Sequence, residues 1–193
     1  MIPAFLLIVA AVAYRIVTGL AITSGSTWLS NFAPLAAIAL CCAAYLPRRY
    51  KFTLPLITLF ISDAILNASY GEPFFTGHIV CRYIALALVG LLGFALQNRA
   101  SLKTMLPASL LGSVMFYGIT NVFSWLTDPG YAKNLAGFIQ ALTVGLPQYS
   151  ATPTWMFFRN SLLSDLVFTA IFVLLMRAES TRARENALRA RTA

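Results

Sequence analysis

The chain has 193 residues, of which 59% are hydrophobic and only 10% charged, with a mean hydropathy of +0.77. Soluble domains carry about a quarter charged residues, so this composition excludes a water-soluble enzyme and marks an all-α integral membrane protein. The net charge of +8 does not call for a nucleic-acid partner, because the basic residues flank apolar runs, where they act as topology signals.

The first predicted span covers Pro3 to Ile22. It lacks a basic leader and carries Arg15 inside the apolar stretch, so it reads as a retained span rather than a signal peptide. A polar segment containing Trp28 leads to a second span, Phe32 to Leu46, and the basic turn of Arg48, Arg49 and Lys51 precedes a third, Thr53 to Ala68. These two are shorter than the roughly 20 residues of a full crossing and need shelter from neighbours. An aromatic loop with Phe74 and Phe75 enters the fourth span, His78 to Leu96, and the fifth runs from Met105 to Leu126. The last covers Arg159 to Met176 and passes into an arginine-rich tail. This organisation predicts one bundle of six transmembrane helices over residues 1–177 and a basic cytoplasmic tail over residues 178–193.

Charge placement fixes the expected orientation. With both termini in the cytoplasm, the two basic turns and the tail hold ten of the 14 basic residues on the inner side, as the positive-inside rule requires. Counting NLAGFIQALTVGLP as a seventh span would export the five tail arginines, so that segment is expected to lie as an interfacial or re-entrant helix over the outer face. Arg15, Asp63, Arg82 and Asp165 fall within or at the ends of spans, where a charge is costly unless paired or functional. An arginine–aspartate pair is the plain expectation, with a proton-coupling role for Asp63 or Asp165 as the sharper one. Asn121 is expected to serve as an interhelical hydrogen-bond donor.

The junction of loop and fourth span carries the chemistry. His78, the only histidine, and Cys81 lie three residues apart and therefore share a helix face. Cys41 and Cys42 are adjacent inside an apolar run and read as small core residues. Cys81 sits near a helix N-terminus and beside Arg82, both of which favour a thiolate. Two donors are too few for a tetrahedral metal site, whereas a metal already held by a macrocycle needs one axial protein ligand. The aromatic loops supply further candidate ligand contacts, and the expected set is Cys81, His78, Tyr83, Phe74, Phe75, Trp28, Tyr131 and Arg159.

The segments NFAPLAAIAL, LPLITLFISDAILNASYGEP, GSVMFYGITNVFSWL, YAKNLAGFIQALTVGLP and FFRNSLLSDLVFTAIF resemble an uncharacterised-domain family of small six-helix membrane proteins. That family is similar to the substrate-binding S components of energy-coupling factor transporters, and the resemblance runs from about Asn31 to Phe172. The cysteine at the loop-to-helix junction is similar to that of the BtuM family of solitary cobalamin transporters of Gram-negative bacteria. By that resemblance Cys81 is the axial ligand of cobalt in cobalamin, the bound substrate, and displaces cyanide from cyanocobalamin. The resemblance implies a bacterial inner-membrane location. One feature departs from S components that dock on a shared module: the residues four after Ala4, Ala10, Ala11 and Ala13 are Ile8, Tyr14, Arg15 and Val17, so no Ala-xxx-Ala pattern occurs on the first helix. The departure implies a protein that works without a dedicated ATPase module, and no Walker motif is present. Two other readings of the residues stay open: a carrier for another small vitamin, and a membrane enzyme using Cys81 as nucleophile and His78 as base.

Overall fold

The uncharged runs between polar breaks become helices, the local structure that satisfies every interior backbone group without help from water. In the computed structural model residues 2–22 and 32–192 are described. Among them are seven helices and no strand: α1 (Ile2–Ile22), α2 (Leu35–Tyr45), α3 (Thr53–Tyr70), α4 (Gly77–Leu96), α5 (Leu102–Thr127), α6 (Leu135–Leu142) and α7 (Thr154–Thr192). A short 3-10 turn, Gln97–Arg99, joins α4 to α5. Five of the helices, α1, α3, α4, α5 and α7, are long and apolar enough to cross a membrane. Each of the five exposes large aliphatic or aromatic side chains, among them Leu6, Phe60, Leu91, Val114 and Leu174, as expected of a bundle whose solvent is hydrocarbon.

The second predicted span holds a helix shorter than the span itself, and the shelter expected for it is what the bundle provides. At 1.5 Å per residue the 11 residues of α2 reach only about 16 Å, roughly half the hydrocarbon thickness. The helix is instead the centre of the bundle: every residue from 36 to 44 is buried, and α3, α4, α5 and α7 surround it. Small side chains make this possible, since Ala36, Ala37, Ala39, Cys41, Cys42, Ala43 and Ala44 let four helices close in. The closest approach is at Gly93 of α4, where an added Cβ would overlap the backbone carbonyl of Leu40. Gly93→Ala is therefore expected to force α2 and α4 apart and to destabilise the protein by about 1–3 kcal/mol, the usual overpacking penalty. Thermal unfolding in detergent measures it, and an unchanged midpoint would show that the two helices separate freely.

Both ends of α2 are satisfied by charged side chains from elsewhere. Pro34 precedes the helix and offers no side-chain cap. Asp165 of α7 supplies one, with Oδ1 accepting from the Ala37 amide at 2.9 Å and Oδ2 from the Ser113 hydroxyl at 2.7 Å. At the other end Lys51 Nζ donates to the Ala43 carbonyl at 2.7 Å and to Gln97 Oε1 at 2.6 Å. A carboxylate at the N-terminus and an ammonium at the C-terminus both complement the helix dipole. The expected proton-coupling role for Asp165 meets a group with one oxygen on the Ala37 amide of α2 and the other on the Ser113 hydroxyl of α5.

The last span also differs from expectation. It begins five residues earlier than Arg159, and it continues past Met176 as helix through the basic tail to Thr192. Hydropathy falls at Arg177, but alanine, arginine and glutamate are good helix formers, so the backbone has no reason to stop there. The NLAGFIQALTVGLP segment holds the eight-residue α6, packed on α5 and α7. Asn134 caps it by accepting from the Gly137 amide at 2.9 Å, and Tyr117 Oη donates to the Leu142 carbonyl at 2.6 Å.

Candidate functional site

Five helices turn one stripe each toward a common space, and each stripe follows the helical i, i+3, i+4 spacing. On α1 it is Arg15, Thr18 and Gly19; on α3, Asp63, Leu66, Asn67 and Tyr70; on α4, His78, Cys81 and Arg82. On α5 it runs from Ser113 through Tyr117, Asn121 and Ser124, and on α7 it is Thr154, Phe157, Phe158 and Ser161. They enclose a cavity of about 450 Å³. These stripes come from the C-terminal halves of α1, α3 and α5 and the N-terminal halves of α4 and α7, so the cavity lies at one end of the bundle. The basic turns at 48–51 and 99–103 and the arginine-rich end of α7 lie at the other.

The entry to α4 is set locally. Thr76 is its N-cap, with Oγ1 accepting from the Ile79 amide at 3.3 Å. The helix thus starts at Gly77 and brings His78 and Cys81 to the cavity wall one turn apart. Upstream, α3 ends at Gly71, whose left-handed backbone (φ +69°) turns the chain into the loop; a side chain there would be strained. Cys81 is 8% exposed, and Sγ donates to the Ile119 carbonyl at 3.8 Å. The His78 ring stands edge-on to Phe123, with centroids 5.2 Å apart. The Tyr117 and Phe158 rings lie 4.5 Å apart, tilted by 31°, adding an aromatic wall.

The cavity also holds a charge cluster. Asp63 Oδ1 accepts from Arg15 Nη2 at 2.6 Å and from Arg82 Nη1 at 2.9 Å, while Arg15 Nη1 donates to Ser62 Oγ. Arg15 thus pairs with Asp63, and Asp165 takes no arginine. Arg82 is turned to Asp63 rather than to the neighbouring sulfur, so the expected help it gives a Cys81 thiolate does not come from a direct contact. Two guanidiniums face one carboxylate, which leaves the cavity with an excess positive charge. Among the described residues two buried side-chain oxygens have no partner, Asp63 Oδ2 and Tyr83 Oη. No group of three or more His, Cys, Asp or Glu able to hold a metal ion occurs among them.

A family of unknown function, DUF6580, matches residues 1–186. The chain belongs to that family. No curated protein and no solved structure matches it.

In this DUF6580 protein the ligand set expected from sequence is only partly gathered. Cys81 and His78 line the cavity; Phe74, Phe75, Tyr83, Tyr131 and Arg159 do not. Phe74 packs on Phe75 at 4.9 Å and on Phe60 at 5.0 Å, along the α3 side, and Phe75 is largely exposed. Tyr83 lies two residues past Cys81, about 200° around the helix, and packs against the main core cluster. Tyr131 is buried in a separate small cluster with Ala141 and Leu146 beside α6. Arg159 bonds the Asn160 side chain and lies over the Trp155 ring at 5.6 Å. Trp28 lies outside the described residues. Conversely, Asn67, Tyr117 and Ser124 line the cavity without having been singled out. A polar stripe at helical spacing along an otherwise apolar α5, from Ser113 to Ser124, is the signal that would have found that wall.

Proposed function

We propose that this DUF6580 protein is a bacterial inner-membrane uptake protein that takes cobalamin at its periplasmic face, with the Cys81 thiolate as axial ligand of cobalt. The observation that carries this reading is that Cys81 and His78 together line a partly aromatic cavity at the end of the bundle opposite the basic turns. The positive-inside rule turns those basic turns to the cytoplasm and the cavity to the periplasm. With both termini inside, the chain makes six passes; the sheltered α2 lies in one of them, buried in protein where a short helix is tolerated. The S-component-like architecture and the independence from an ATPase module belong to the same proposal.

On cyanocobalamin the sulfur donates an electron pair to cobalt(III) while cyanide leaves with its own pair. The thiol proton departs with it as hydrogen cyanide, and the cobalt oxidation state does not change. In this reading His78, one turn before Cys81 on the cavity wall, meets the corrin edge. Binding of cyanocobalamin by the purified protein tests this. Cys81→Ala is expected to lose at least about tenfold in affinity, the size of one strong contact of about 1.4 kcal/mol. Equal affinity for the two proteins would overturn the ligand assignment.

The cavity volume favours a second reading, a carrier of the same architecture for a smaller vitamin. About 450 Å³ is typical of sites for drug-sized molecules, and a corrin with its nucleotide would project from the mouth. A thermal-shift screen of small vitamins separates the readings, since a ligand of the folded state raises the melting temperature.

A further inference from the structure

We propose that the cavity takes its cargo by a singly charged oxyanion, a carboxylate or a phosphodiester, seated on the Arg82 guanidinium, an inference that rests on reading the cavity as a cargo site. Arg15, Arg82 and Asp63 line the same space, so two guanidiniums against one carboxylate leave one positive charge unanswered. Residues 23–31, outside the described set, carry no charged side chain that would alter this sum. At the same end of the chain's helices Glu72 and Asp128 are matched in number by Lys133 and Arg159, so the excess stays with the cavity. A charge inside a bundle surrounded by hydrocarbon is costly without a counterion, and an anionic cargo brings one.

The two arginines are not equivalent. Arg15 is 11% exposed, and its terminal nitrogens are taken by Asp63 and Ser62. Arg82 is 31% exposed and gives Asp63 only Nη1, at 2.9 Å. A guanidinium has five N–H groups, so most of those on Arg82 are left for an acceptor. Its planar fork matches the paired oxygens of a carboxylate or phosphodiester, and charge-assisted bonds of this kind are about twice as strong as neutral ones. A neutral amide or ester brings no charge to balance the excess, a cation adds to it, and a dianion overshoots it. Phe116, Phe123, Phe157 and Phe158 line the cavity as well and give an apolar body somewhere to lie. Cobalamin offers a phosphodiester in its nucleotide and a smaller acid its carboxylate, so the inference holds for either cargo.

Titration calorimetry of the purified protein in non-ionic detergent with benzoate, methyl phenyl phosphate and benzamide tests the subsite, with cyanocobalamin titrated in parallel. At least one of the two anions is expected to bind tenfold or more tightly than benzamide, and the tighter of them names the group. Added salt is expected to weaken that anion while leaving benzamide unchanged. Arg82→Gln keeps a donor without the charge and is expected to abolish the preference, with Arg15 still paired to Asp63 to hold the fold. Should that variant fail to fold, the salt dependence of the wild-type protein decides. Equal binding of the three probes, binding of none, an anion affinity indifferent to salt, or a folded Arg82→Gln that keeps the preference would overturn the subsite. An anion preferred while cyanocobalamin does not bind would leave the subsite standing and remove the cobalamin reading. Cyanocobalamin bound without any preference for an anion would remove the subsite alone.

Discussion

Asp63→Ala is expected to abolish most of the folded protein. The substitution leaves Arg15 and Arg82 facing each other across a bundle interior with no carboxylate between them. Breaking a buried ion pair by removing one partner destabilises by about 3–5 kcal/mol, because the remaining charge has nowhere to go. The Arg82 side chain is 31% exposed and gives some of its charge to cavity water, which places the expected loss toward the lower end of that range. Asp63→Asn keeps the shape and an acceptor for one arginine, so it should be milder. Adding Arg15→Gln to Asp63→Asn removes the stranded cation and is expected to recover part of the loss. Detergent-solubilised yield and the unfolding midpoint measure the series. A wild-type midpoint for Asp63→Ala would show that the arginines find other partners.

Asp165→Ala is the second large effect, and it acts on a different element. The carboxylate caps α2 from α7, so its removal leaves the Ala37 amide and the Ser113 hydroxyl without their acceptor in a part of the bundle with no exposure. A buried group left unsatisfied costs about 1–3 kcal/mol, and a lost N-cap about 1 kcal/mol, so a loss on the order of 3 kcal/mol is expected. Asp165→Asn retains one acceptor oxygen and should lose roughly half as much. Because α2 supplies Leu35 to the cavity floor, the alanine variant should also weaken ligand binding. Hydrogen exchange at the α2 amides distinguishes loss of the cap from general loosening: protection should fall first there. Equal protection in both proteins would show that α2 does not depend on Asp165.

Helix existence was readable from hydropathy because apolar runs and polar breaks alternate along this chain. Helix ends and depth were not. The shortness of the second span called for shelter, but that the 11 residues LAAIALCCAAY form the buried centre follows from four neighbours closing on small side chains. At α7 the hydropathy boundary and the helix boundary are different physical events, separated by the basic tail. Within the site, the three-residue spacing of His78 and Cys81 put them on one face, and the need to pair interior charges called for an arginine–aspartate pair without saying whether Arg15 takes Asp63 or Asp165. The second arginine on Asp63 depends on how α1, α3 and α4 are rotated against one another, which no local pattern encodes. The aromatic candidates lie apart for a similar reason: Phe74 packs on Phe60 and Phe75, and Tyr131 on Ala141 and Leu146, away from the cavity.

The visible absorption spectrum of the purified protein mixed with cyanocobalamin is the most direct measurement of whether this sulfur meets cobalt. Thiolate ligation predicts a shifted corrin spectrum with release of cyanide by the wild-type protein and an unshifted one with Cys81→Ala. Bound cyanocobalamin with an unshifted spectrum and its cyanide still in place would contradict it.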